Sequence, residues 1–456
     1  MTLRPTAGGR GGARLPLVVL VVLVVGLAFH NLVMSLLWEA GVRGAALDVV
    51  AAWKDALLVV GVVAALLALR GRPSLVWADR LALLYAGIVV LYLLLPQSWL
   101  DGAATARGEL LALRHHLLPV GVYALGRLAP LAAGAWRRLC LALLAVAGML
   151  AVWGLVDVYL VPLDTWRGSG VPGWFSNQLG IEYQCFGGLP ENWILNTNDE
   201  ESPLRRLTST FLGPLATAYA LVVVLLLLAA RRKLDRITAV VGVVAGAGLL
   251  WTHTRAAFAV LAGGLVLLAL LQRRPRLVAV AALWLLLSIG FVKAFPTIGP
   301  STSYTATELS CLRENAAREG EASGDALSGG DASTRSHLEN LRDGIRTVVE
   351  SPLGFGLGNA GVTASRTGAP IKAGESTYTE IGVDTGIAGA LALIAWLVAL
   401  LVAVCRRSAW LAASVAAVGA LGVQTDVIGV HWLSVVVFGL AGAAIGRAGP
   451  PPEDAV

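Results

Sequence analysis

Long apolar runs, each closed by a turn or by arginines, recur along this chain from residue 17 to residue 445. About 20 apolar residues are enough to cross a bilayer as a helix, the one open segment that satisfies its own backbone hydrogen bonds in hydrocarbon. The runs fall at 17–37, 49–69, 77–95, 110–128, 139–161, 211–230, 237–250, 256–271, 277–295, 386–405, 409–427 and 432–445. The expected fold is therefore an all-α polytopic membrane protein with about 12 transmembrane helices. The composition agrees, since 57% of the residues are hydrophobic and only 14% charged, outside the range of soluble enzymes. The fourth run is the weakest, because Glu109, Arg114, His115 and His116 interrupt it, and an interfacial start is one reading of it.

The net charge of +6 does not indicate nucleic acid, because the cations are scattered between apolar runs rather than gathered on one face. They act as topology signals, since short cytoplasmic loops retain Lys and Arg. Alternate gaps carry Arg4, Arg10 and Arg14; Arg70 and Arg72; Arg127, Arg137 and Arg138; Arg231, Arg232, Lys233 and Arg236; Arg273, Arg274 and Arg276; Arg406 and Arg407; and Arg447. These gaps and both termini are expected in the cytoplasm, with Arg43 and Arg107 as outer exceptions and the first run kept as an uncleaved span. The chain then divides into 1–161 with five spans, an outer loop 162–207, 208–295 with spans six to nine, a large outer loop 296–378, and 379–456 with the last three spans and a tail. Cys185 and Cys311 fall in the two outer loops, where an oxidising compartment permits a bridge; a disulfide between them is expected, against the alternative of two unpaired thiols.

Within the large loop, 316–336 is rich in Ala, Ser, Gly and acids and reads as a mobile segment. Leu338, Leu341, Ile345, Val348 and Val349 then recur at helical spacing, which predicts an amphipathic helix over 337–349 stopped by Pro352. The glycine-punctuated 351–359 lets backbone approach backbone or ligand closely.

Three charged residues stand at outer ends of spans, where a charge needs water, a partner or a substrate: Arg206, Arg255 and Glu375. The alternative for each arginine is an interfacial anchor. Two arginines can hold a leaving diphosphate without a metal, and a carboxylate can take the proton of an attacking sugar hydroxyl. Arg205, His253, Arg335, Arg366, Lys372, Tyr378 and Glu380 are further candidates for substrate binding, with Asp384 and His431 as possible helpers. Each has an ordinary alternative as a solvated loop residue. No HExxH, paired CxxC or Asp-x-Asp occurs, so neither a metal nor another cofactor is expected.

Four stretches carry a resemblance: 206–214, similar to an Arg-x-x-x-x-Phe-x-x-Pro motif; 252–256, similar to a Ser/Thr-Arg-Gly/Ala turn; 335–359, similar to an Arg-helix-Pro-Leu-x-Gly-x-Gly run; and 375–389. In that order, with a large late outer loop, they resemble the O-antigen ligase and O-antigen polymerase superfamily of bacterial membrane glycosyltransferases. The last stretch keeps the ligase spacing of nine residues before Gly386-x-x-Gly389 but has Glu375 where the ligases have a histidine. The resemblance implies a GT-C type fold in the bacterial inner membrane. It also implies a donor glycan on undecaprenyl diphosphate held near Arg206 and Arg255, a glycan or lipid acceptor, membrane lipid around the bundle, and inverting transfer with Glu375 as base. The alternatives are a polymerase lengthening a lipid-linked polysaccharide, a transporter of a lipid-linked glycan, and a non-enzymatic assembly factor. Against the transporter stand the late position of the long loop and the absence of an internal repeat.

Overall fold

A chain this apolar answers with helices. The structure, a computed structural model, describes residues 14–69, 74–129, 131–181, 183, 185–195, 203–319, 332–447 and 449. Its first half contains α1 (Arg14–Glu39), α2 (Ala45–Ala51), α3 (Trp53–Leu67), α4 (Trp77–Leu94), α5 (Ala106–Leu128), α6 (Ala133–Leu160) and α7 (Leu163–Arg167). The second half contains α8 (Pro214–Ala230), α9 (Arg236–Trp251), α10 (Arg255–Gln272), α11 (Arg276–Ile298), α12 (Ala306–Glu319), α13 (Ala332–Glu350), α14 (Gly361–Thr367), α15 (Thr377–Cys405), α16 (Ala409–Leu421) and α17 (His431–Gly446). Two strands, β1 (Ile194–Leu195) and β2 (Leu204–Arg205), pair antiparallel.

Among the described residues six helices are long and apolar enough to cross a membrane: α1, α4, α6, α10, α11 and α15. The pair α2 and α3 qualifies only as one span bent by 41°, and α8, α9, α16 and α17 are apolar but shorter. The twelve expected spans are thus not all helices of spanning length. Run 49–69 breaks at Ala52, run 409–427 loses its helix after Leu421, and run 110–128 belongs to a helix that starts at Ala106 and contains Pro119. Run 386–405 begins nine residues early, at Thr377, and is interrupted at Thr385 and Gly386. Large apolar side chains stay exposed on the outer helices, among them Ile237 and Val243 of α9 and Leu283 and Leu286 of α11, a face suited to lipid. This is a multi-pass membrane protein.

The connections sort into two sets by their hydrogen bonds. At one end Arg127 donates to Ser74 O (2.8 Å), Gln272 to Ala230 O (2.9 Å) and Arg407 to Arg447 O (3.0 Å), and Arg447 donates to Leu131 O. Arg274 adds bonds to the carbonyls of Ala229 and Arg231 (both 3.1 Å), capping the end of α8. At the other end Gln178 donates to Gly44 O (3.0 Å), Gln97 to Leu357 O (3.2 Å), Leu207 N to Trp251 O (2.9 Å) and Thr377 N to Gly422 O (3.0 Å). This second end is also capped by the two long loops. Cys185 and Cys311 are disulfide-bonded, and Arg167 forms a two-pronged pair with Glu308 (3.0 and 2.6 Å), so the first loop is pinned to α12.

The expected mobile segment 316–336 falls mostly outside the described residues; its first and last residues belong to α12 and α13. Helix α13 starts at Ala332, five residues earlier than the apolar spacing indicates, and its stripe divides. Gly344 and Val348 lie against Thr379 and Gly382 of α15, whereas Leu338, Ile345 and Val349 are exposed. The glycine run after Pro352 fits the break in α15. Gly386 has φ +67°, and a Cβ there would come within 2.6 Å of Pro352 O; Gly354 has φ +71°, and one there would come within 2.5 Å of Gly386 N. Only glycine permits this backbone-to-backbone contact.

Candidate active site

Beneath the loop-covered end lies a cavity of about 550 Å³. Helix α5 brings Arg114 and His115 to it, the start of α8 brings Tyr219, α14 brings Arg366, the start of α15 brings Glu380, and the 422–430 connection brings Asp426. Glu375 and His431 also line it. The wall at α8 follows from local sequence: Leu212 takes a left-handed conformation (φ 54°), Gly213 precedes the helix, and Pro214 opens it as the first residue, whose missing N–H costs nothing there. Thr217 Oγ1 donates back to Thr208 O (2.6 Å) and fixes the incoming chain.

Glu375 has φ +70° and a partly exposed side chain. Its Oε2 accepts from His337 Nδ1 of α13 at 2.5 Å, if the carboxyl is ionised. That bond holds the carboxyl below the usual carboxylate range and, with help from Asn340, outweighs the opposite effect of burial. Glu380 is the buried carboxylate of the cavity, and it sits against Gly361, where a Cβ would meet its oxygens at 2.3 Å.

Arg206 and Arg255 come together although 48 residues separate them, because the turn between α9 and α10 grips the chain entering α8. Arg206 Nε donates to Thr252 O (2.9 Å), one terminal nitrogen to Thr254 Oγ1 (3.1 Å) and the other to Asn192 O (3.1 Å). Burial lowers its guanidinium to about 10; Tyr219 opposes that shift and the nearby Arg255 adds to it. Asn192 and Tyr219 line the cavity and Arg206 does not, so Arg206 stands one residue behind the wall.

The remaining candidates divide. Arg366 lines the cavity and donates from Nε to Leu179 O (3.1 Å). Arg205, the immediate neighbour of Arg206, faces away and pairs with buried Asp157 at 3.3 Å. His253 packs its ring on Phe295 with centroids 4.8 Å apart, and Tyr378 donates to Gly419 O (2.7 Å). Lys372 rests on the ring of Phe355, and Arg335 is exposed on α13; none of these five lines the cavity. Asp384 is occupied by His116 (2.9 Å) and by Asn359 N (3.0 Å). No cluster of three or more metal-binding side chains occurs among the described residues.

Sequence reasoning did not select Arg114, His115, His337, Tyr219 or Asp426. Arg114 and His115 had left a trace as the charges interrupting the fourth run. They are tolerated because that face of α5 lines the cavity, where Asp426 meets His115 at 3.3 Å, and because Asp55 of α3 meets Arg114 at 3.5 Å.

Such a cavity can hold an anion beside a fixed carboxylate that accepts a proton. No curated protein matches the chain in sequence. Residues 240–394, from α9 through the break in α15 and including Arg255, His337, Arg366, Glu375 and Glu380, match a family model described as O-antigen ligase. Over that stretch the chain is similar to the O-antigen ligase superfamily.

Proposed function

We propose that this protein is a metal-independent inverting glycosyltransferase that moves a glycan from undecaprenyl diphosphate to an acceptor hydroxyl at the outer face of the bacterial inner membrane. The observation that carries the reading is the convergence at one cavity of Glu375, held by His337, with the Arg206 and Arg255 pair behind its wall. In the reaction the acceptor oxygen bonds to the anomeric carbon as the bond to the diphosphate oxygen breaks on the opposite side, which inverts the configuration. The hydroxyl proton goes to the Glu375 and His337 pair, and the diphosphate leaves carrying both electrons of the broken bond. Arg206 and Arg255 stabilise the charge building on it. For Arg206 this requires a shift of Asn192 or Tyr219, since both now stand between it and the cavity.

The two sets of connections support twelve crossings in a GT-C type arrangement. The end rich in arginines is then cytoplasmic together with both termini, and the disulfide-bearing end faces outward. The test is transfer by purified protein supplied with lipid-linked donor. Arg206→Ala and Arg255→Ala each lower kcat by at least about a hundredfold, the scale of one lost transition-state donor. Unchanged transfer in both variants ends the diphosphate-clamp reading. Product length then separates ligation of a whole chain from polymerisation of single repeats.

A further inference from the structure

A second chamber, of about 440 Å³, adjoins the first, and Arg114 and Arg366 stand in the wall common to both. Its lining carries three guanidinium side chains, Arg107, Arg114 and Arg366, and Lys54, against one carboxylate, Asp48, with Asp55 meeting Arg114 at 3.5 Å. Asp48 already accepts from Gln178 (2.8 Å). Lys54 is 4% exposed, with its Nζ 3.1 Å from His30 Nε2 and 2.9 Å from Ala51 O. Among the described residues Lys54, Arg107 and Arg366 form no ion pair. Burial, followed by repulsion from Arg114 and Arg107, lowers the Arg366 guanidinium to about 10.

Like charges drawn around one chamber repel, and the aromatic walls of Trp174, Phe175 and Phe211 supply no opposite charge to balance them. The arrangement is stable when an anion enters. We infer that the second chamber is an anion subsite for a compact oxyanion, phosphate or carboxylate, carried by the acceptor. It is separate from the diphosphate clamp: Glu375, Asn192 and Tyr219 line only the first chamber, and Arg206 stands behind the last two. An acceptor whose anion lies between Arg107 and Arg366 can extend its hydroxyl past Arg114 to Glu375. The identification with the acceptor rests on the transferase reading; the anion site itself does not.

The experiment uses the full chain in nanodiscs of neutral lipid, with inorganic phosphate and D-glucuronate titrated separately and thermal shift as readout. At least one anion stabilises the wild type. Arg107→Gln, at an exposed position, weakens that response, Arg107→Gln/Arg366→Gln weakens it by about tenfold or more, and Arg206→Ala leaves it intact. Response to phosphate alone identifies a phosphorylated acceptor, and response to glucuronate alone identifies an acidic sugar. No response to either anion in the wild type overturns the inference, as does a response that survives the double variant or disappears in Arg206→Ala. No transfer by the wild type supplied with lipid-linked donor, with the anion response retained, would sink the transferase reading alone.

Discussion

Two adjacent arginines have opposite fates here. Arg205 ends β2 and turns inward to Asp157, while Arg206 turns to the α9–α10 corner, because successive side chains of an extended segment point to opposite sides. Sequence alone gives both the same chemistry, and only the register of a two-residue strand separates them. Glu375 stood out in the sequence as a charge at the outer end of a span, whereas its partner His337 did not, since it lies 38 positions earlier in the chain. The pair has a testable pH dependence. The carboxyl is depressed on folding, so its contribution to stability is present above the ordinary carboxylate range and is lost as pH falls through the folded value. With the Glu375 side chain 44% exposed, solvent screening limits this to about 1 kcal/mol or less. Hydrogen exchange of α13 should show protection falling below about pH 4 in the wild type. In Glu375→Gln protection starts lower and stays flat there; a matching fall in that variant would remove the pair as its cause.

At the scale of elements, apolar length located the helices but not their breaks. The break in α15 depends on Gly354 and Gly386 meeting backbone to backbone, a tertiary contact that leaves only glycines in the sequence. The fourth run was read as a weak span because its charges were counted against lipid, yet α5 lines both chambers. The break also sets the tilt of the segment carrying Glu380, so it ties packing to the site. Gly386→Ala forces a left-handed backbone onto a side chain that also strikes Pro352 O, at a cost of about 1–3 kcal/mol. Its Tm in detergent should fall and transfer should decline with it. Gly290→Ala on α11 has nothing within 4 Å of the added carbon and serves as the neutral control. Equal Tm values for the two variants would mean that the break is not a fixed part of the fold.

The whole molecule is polarised, with arginines capping carbonyls at one end and disulfide-linked loops roofing two chambers at the other. A donor with a long lipid tail and a polar head needs that asymmetry, because the head must meet cations at the interface while the tail stays in hydrocarbon. Orientation therefore decides whether the proposed chemistry is possible at all. It can be read from single cysteines placed in a chain carrying Cys140→Ser and Cys405→Ala, which removes the two free thiols and leaves the disulfide. Arg335→Cys on α13 and Lys233→Cys between α8 and α9 are exposed positions at opposite ends. In intact spheroplasts a membrane-impermeant maleimide should label the first and reach the second only after permeabilisation. The reverse pattern would put both chambers in the cytoplasm, where the Cys185 to Cys311 bridge does not persist and an outer-leaflet donor cannot arrive.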